Sequence, residues 1–144
     1  MSLTETLRLA REQRDWGRLA AAIPFAEFLN LRIDIKGDEF TCILPFTPSL
    51  IGNPHPPALH GGAMGGFLEC AAVFYLLWHM DSGLPPKTID FNIDYLRPGR
   101  PQDSYANVHG VKLGSRVANV RVEAWQDSPD KPIAIAHGNF LLRA

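Results

Sequence analysis

Cysteine is nearly absent from this 144-residue chain, which holds only Cys42 and Cys70. Two thiols build no disulfide framework, and neither stands at metal-ligand spacing from a histidine or from the other. A stapled scaffold and a cysteine-based metal site are therefore not expected. The pair reads as thiols kept reduced, which sets a cytoplasmic expectation. Basic clusters are lacking too. Fourteen Lys and Arg against fifteen Asp and Glu leave a net charge of −1, with no electrostatic footprint for nucleic acid. The opening MSLTETLRLAREQRDW is charged and has no apolar core of the kind a signal peptide needs. No nucleophile elbow, phosphate-binding glycine loop or dinucleotide fingerprint occurs. His55, His79, His109 and His137 are scattered without ligand spacing.

One further absence is local. Gly61 to Met80 reads GGAMGGFLECAAVFYLLWHM, with no Lys or Arg and a single acid, Glu69. A helix that is apolar on nearly every side is a buried helix, so Glu69 is expected in or beside low dielectric. An unpaired carboxylate there costs on the order of several kcal/mol. Such a group finds partners or has its pKa raised, and acid–base chemistry uses both outcomes. The run approaches transmembrane length. Its four glycines, central acid and strand-like flanks argue against a membrane span.

What remains describes one globular domain, 46% hydrophobic and 20% charged. Ser2 to Glu5 reads as a capping box that opens a helix running to about Ala22, and Pro24 to Asn30 as a further short helical turn. Leu31–Ile35 and Glu39–Phe46 flank Lys36-Gly37-Asp38 as a hairpin. Thr47 to Leu59, with four prolines, is expected to be irregular loop. The long helix follows and ends near 81–83. Ile89, Phe91, Ile93 and Tyr95 then alternate with Thr88, Asp90, Asn92 and Asp94 as a half-buried strand. Tyr105–Leu113, Arg116–Gln126 and Pro132–Leu142 complete an antiparallel meander. The class is α+β, with a curved antiparallel sheet wrapped round one greasy helix.

The candidate chemistry begins at His60-Gly61-Gly62. A helix N-terminus presents amides without intrahelical partners, and glycines let a ligand come close to them. That suits an oxygen gaining negative charge, such as a carbonyl under attack. Glu69 lies eight residues after Gly61. On one straight helix the separation is roughly 12 Å, too far for both to act on a single carbonyl carbon. If both act, they come from two chains whose helices lie antiparallel across a two-fold axis. Gly61, Gly62, Gly65 and Gly66 form a small-residue face that would admit a second helix. Asn53 offers an amide to orient a water or steady the carboxylate, and Thr88 a hydroxyl. Arg97, Arg100, Lys112 and Arg116 flank strand ends and are available to phosphates. Each of these residues also has a plain reading, as a tight turn, a strand residue or a solvated charge.

Gly52-Asn53-Pro54, Leu59-His60-Gly61-Gly62, Glu69 nine residues after the histidine, and Thr88-Ile-Asp-Phe-Asn-Ile-Asp-Tyr-Leu-Arg-Pro98 together resemble the hotdog-fold acyl-CoA thioesterases. The likeness is to the phenylacetate-degradation (PaaI-like) and 4-hydroxybenzoyl-CoA thioesterase group, over roughly residues 25–142. The resemblance implies a hotdog domain over 25–144 preceded by an N-terminal helical extension, 1–24. It implies hydrolysis of an acyl-CoA, with the Gly61 amide polarising the thioester carbonyl. Glu69 of the partner chain would be base or nucleophile, supported by Asn53, His60 and Thr88, and Gly62, Arg97, Lys112 and Arg116 would bind substrate. Homodimers, often paired into homotetramers, are implied, with no metal and no cofactor, coenzyme A being part of the substrate. Many PaaI-like members carry Asp where this chain has Glu69. A non-catalytic acyl-CoA or small-ligand binding protein of the same fold is the alternative. A dehydratase is disfavoured because no Asp-plus-His pair stands at the required spacing.

Overall fold

The computed structural model describes residues 2–80 and 84–142. The N-terminal segment is not one helix but two, α1 (Leu3–Gln13) and α2 (Trp16–Ala21). Ser2 caps α1 by accepting from the Glu5 N–H, as the capping box anticipates. The break falls at Arg14, which adopts the left-handed conformation (φ 51°), and Asp15 caps the second helix. No glycine or proline marks it. A short α3 (Pro24–Phe28) follows, with proline in the first turn, where its missing N–H costs nothing.

The strands are β1 (Arg32–Lys36), β2 (Glu39–Leu44), β3 (Ile51–Pro54), β4 (Pro57–Leu59), β5 (Lys87–Tyr95), β6 (Ser104–Leu113), β7 (Val117–Trp125) and β8 (Ala134–Leu141), and α4 (Gly61–His79) lies between β4 and β5. Six of the strands form one antiparallel sheet in the order β1-β2-β6-β7-β8-β5. Gly37, at φ +62°, turns the β1–β2 hairpin where a side chain would be strained. The proline-rich stretch is more ordered than its composition suggests. After a 3-10 turn (Pro48–Leu50), β3 and β4 pair as a small hairpin with Pro54 opposite Pro57. Prolines at strand ends forfeit no needed ladder donor. The predicted end of α4 at 81–83 lies outside the described residues.

This is the expected hotdog architecture, a sheet curled round one helix. The sheet's inner face is built from short side chains, among them Ala106, Ala118, Ala124, Ala134 and Ala136, all buried. They make room for the large ones of α4, of which Phe67, Phe74, Leu68, Leu76 and Leu77 are fully buried. By length and composition α4 would suffice to cross a membrane, yet half of it is packed inside the protein. Phe67, Leu68 and Phe74 are core. Tyr75 and Trp78 join Phe40 and Trp16 in an aromatic cluster at the far end of the helix. All five of these α4 side chains therefore serve the interior or that cluster.

The N-terminal extension is tied to this helix by one cation. Arg11 donates to the carbonyls of Leu77 and Trp78, each at 2.8 Å, and to that of Met80. Those are the last carbonyls of α4, which lack intrahelical donors and carry the negative end of the helix dipole. Burial, and then this guanidinium, hold the His79 imidazole below its usual pKa. Arg11→Ala is expected to destabilise the fold by about 2 kcal/mol, the scale of lost charged hydrogen bonds. A thermal or urea melt checks it; an unchanged midpoint would mean the cap is dispensable.

Candidate active site

α4 runs antiparallel to β5, and three contacts fix their register. The Tyr95 hydroxyl donates to the Gly61 carbonyl at 2.8 Å. A Cβ on Gly65 would fall 2.9 Å from Ile93 Cδ1. The Thr88 hydroxyl donates to Glu69 Oε2 at 2.7 Å. The glycines of α4 thus admit side chains of the same chain. Gly61 and Gly65 meet β5, and Gly66 meets Phe25 of α3, whose ring lies 2.7 Å from an ideal Cβ there.

At the helix start, His60 is the N-cap. Its Nδ1 accepts from the Gly62 N–H at 2.8 Å, so the ring carries its proton on Nε2. Gly61 N–H, at the first helical position, has no hydrogen-bond acceptor among the described residues. The histidine backbone is anchored as well, its N–H donating to Leu50 O at 2.8 Å. Gly52 is required for that approach, because a Cβ there would sit 2.7 Å from His60 Cα. Asn53 lies on the neighbouring β3, where its side-chain oxygen accepts from the His55 N–H at 3.2 Å. It braces the β3–β4 turn, and no hydrogen bond joins it to Glu69 among the described residues.

Glu69 is half-buried rather than enclosed. α4 turns most of its girth to the sheet but leaves a strip with Gly62 and Glu69 open. One carboxylate oxygen is taken by Thr88, and the other has no hydrogen-bond partner among the described residues. The Thr88 contact depends on a feature that simple alternation hides. The β5–β8 register shifts between Thr88 and Asp90, so Ile89 is the extra residue of a bulge and is 55% exposed. Thr88 then pairs with buried Phe140 and turns inward to the helix, where strict alternation would turn it outward. Tyr95, read from sequence only as a strand residue, pins the Gly61 carbonyl; its place at the end of the alternating run was the available signal.

Cys70 adjoins the acid on α4. Burial, and secondarily the Glu69 charge, push its thiol up to about 11. A thiol held above its ordinary 9.0 contributes stability below that value and loses it as pH climbs towards the folded pKa. With so little thiolate, Cys70 should alkylate about a hundredfold more slowly than an unperturbed thiol at pH 8. Iodoacetamide labelling read by mass spectrometry checks this, and rapid labelling would contradict it. Among the described residues no group of three or more His, Cys, Asp or Glu converges as a metal site.

The cations expected to meet phosphates fall at opposite ends of the sheet. Lys112 and Arg116 border the exposed β6–β7 turn, at the end of the sheet where β5 begins. Arg97 lies at the other end, beside Gly61. It lines a crevice with Leu59, Gly61 and Tyr95, and also a recess of about 280 Å³ with Arg100, Asp127 and Lys131. In that recess Arg100 is paired with Asp127, which also accepts from Gln102 at 3.1 Å. Lys131 and Arg100 mattered to this recess, and only Arg100 was singled out from sequence. Lys131 sits in a turn that carries no motif.

The family profile described as the thioesterase superfamily matches residues 57–133, just over half of the chain. The medium/long-chain acyl-CoA thioesterase YigI of Escherichia coli K12 is 29% identical over 115 residues, spanning 70% of this chain and 74% of that protein. A Chromobacterium violaceum protein of known crystal structure is 38% identical, with a TM-score of 0.78 over 96% of this chain and 97% of its own. A Bacillus halodurans protein solved with CoA has a TM-score of 0.74, covering 99% of this chain and 89% of its own. At 24% identity the latter bears on fold alone.

Proposed function

Because the chain belongs to the thioesterase superfamily, we propose that it hydrolyses an acyl-CoA thioester to the free acid and CoA. The observation that carries this reading is the pairing of two groups along α4. Among the described residues the Gly61 amide has no acceptor at the helix start, and the Glu69 carboxylate is held by Thr88 through one oxygen with no partner on the other. The amide, backed by the helix dipole, stabilises the oxyanion as the carbonyl is attacked. Glu69 takes a proton from the attacking water; the C–S bond breaks, and that proton passes to the departing thiolate. Direct attack by the carboxylate, with the acyl-enzyme then opened by water, reaches the same products. His60 and Gly52 act by positioning the helix start, and Asn53 stands on the adjoining hairpin, near enough in the chain to serve a bound water.

The two groups stand roughly 12 Å apart along one helix, so the working site is taken to be composite, in a homodimer. β5 supports this. It is one of the sheet's two edge strands, paired on one side only among the described residues, and an open edge is a template for a second strand. A two-fold axis beside Phe91 would pair β5 with its copy and set Thr88 opposite the second copy's Asp94. Glu69, bonded to Thr88, would then reach the Gly61 that Tyr95 holds in that copy.

The test is thiol release from a panel of acyl-CoAs by the wild-type protein. Turnover of at least one member supports hydrolysis. Saturable binding with no thiol released at any chain length would make the protein a binder instead. Phosphates of CoA are assigned to the recess of Arg97 and Lys131, whose charges Asp127 does not offset. Arg97→Glu should raise KM about tenfold more for an acyl-CoA than for the matching N-acetylcysteamine thioester, which has no phosphate, the scale of one charge-assisted contact. Equal changes for both substrates would move the phosphate site elsewhere, towards Lys112 and Arg116.

A further inference from the structure

We propose that Phe25 and Phe28 of α3 form the wall that receives the hydrocarbon part of the substrate and so set its acyl-chain preference; this rests on the thioesterase reading above. Phe28 is 80% exposed and Phe25 48% exposed, and the two rings stack with centroids 6.3 Å apart. Two adjoining large aromatic rings left in water mark a surface that something apolar covers.

Their position says what. The Phe25 ring lies against α4 at Gly66, so close that an ideal Cβ would fall 2.7 Å from it. Gly66 lies one turn beyond Gly62 and three residues before Glu69. The ring therefore stands between the levels of the oxyanion amide and the acid. It lies on the flank of α4 away from β5, which meets the helix through Gly61, Gly65 and Glu69. The open strip of α4 is thus the floor of a groove, with β5 as one wall and Phe25 as the other. Glu69 is the only charged side chain that α4 itself brings to it. An acyl carbon held at the Gly61 amide has its tail beside this aromatic wall. A hydrocarbon or aryl tail matches that chemistry; a charged or strongly polar one does not.

The wall also stands outside the span that the superfamily profile matches. The superfamily profile covers residues 57–133, which hold the amide and the acid, whereas α3 precedes it. In this reading the reaction groups lie within the matched span and the selectivity comes from α3, which precedes it.

The test compares wild type with Phe25→Ala and Phe28→Ala in kcat/KM for acetyl-, octanoyl- and dodecanoyl-CoA, with molecular mass followed by light scattering. The dodecanoyl-to-acetyl ratio should fall about tenfold for Phe25→Ala, the span that apolar contacts of this size give in a pocket, and less for Phe28→Ala. Gly66→Ala, which displaces the ring without removing it, should fall between. A uniform loss across chain lengths overturns the proposal. So does an unchanged ratio with a lowered mass, which would make the patch a contact between copies. Calorimetric binding of dodecyl-CoA and methyl-CoA thioethers gives the same ratio without turnover. Should the wild type release no thiol, the hydrolase reading fails while this ratio still judges the groove: a selective loss of dodecyl-CoA affinity supports it, and parallel losses overturn it.

Discussion

Glu69→Gln is expected to lower kcat for the best acyl-CoA substrate by about a thousandfold, within the range that a positioned general base contributes. The substitution is chosen for what it keeps. A Gln carbonyl oxygen can still accept from the Thr88 hydroxyl, which reaches Glu69 Oε2 at 2.7 Å, so β5 and α4 stay in register. What is lost is the capacity to take a proton or to attack as a carboxylate. Glu69→Ala should cost at least as much and also strand the Thr88 donor. That stranding is a minor stability effect because the bond is exposed. Thiol-release kinetics beside a thermal melt separate the two effects. A wild-type rate in Glu69→Gln removes the acid from the mechanism, whereas a lost rate with a lowered melting point would point to misfolding instead. Thr88→Val gives a graded companion. It frees the carboxylate to swing and should cost roughly tenfold, about one neutral-to-charged hydrogen bond.

The sheet round a helix was legible because its signals are long and consistent: nineteen residues of α4 without a cation other than a terminal histidine, then strands at regular spacing. The sequence singles out His60, Gly61, Glu69 and Thr88, and the structure joins Thr88 to Glu69 and His60 to the helix start, a geometry the pattern did not show. Strict alternation assigns Thr88 to the outer face and Ile89 to the inner. The bulge at Ile89 reverses this, and a one-residue insertion leaves no mark in an apolar–polar pattern. The glycines of α4 read as a seam for a second helix, and within the chain they make room for Ile93, Tyr95 and Phe25. Sequence shows that a backbone can be approached closely and not by what. The β3–β4 hairpin was hidden by its prolines, which in a two-residue-turn hairpin sit where no ladder donor is needed. The break at Arg14 was hidden because a left-handed residue there is neither Gly nor Asn. Asp15 before Trp16 was the one cue, as an N-cap.

Gly61→Pro tests the other half of the site and, with Glu69→Gln, the composite geometry. Gly61 is the first residue of α4, a position that tolerates proline because its N–H has no intrahelical role. The preceding His60 is at φ −65°, ψ 131°, the extended conformation a residue before proline prefers. The atoms nearest a Cβ at Gly61 belong to Tyr95 and lie at 3.4 Å or beyond, ordinary van der Waals contact. The change therefore replaces one amide hydrogen with the ring Cδ and leaves the helix start in place. Loss of an oxyanion donor of this kind lowers kcat about a hundredfold to a thousandfold. Now let the two impaired chains be unfolded and refolded together. If Glu69 and Gly61 of one chain serve the same site, every site keeps one defect and mixing changes nothing. If each site draws its amide from one chain and its acid from the other, mixed dimers hold one site with both groups intact. Random pairing makes half the dimers mixed with half their sites restored, so activity should rise to about a quarter of wild type. Recovery on that scale, from two preparations each nearly inactive, has no source in a site confined to one chain, and its absence in verified mixed dimers would return both groups to a single protomer that the length of α4 keeps apart.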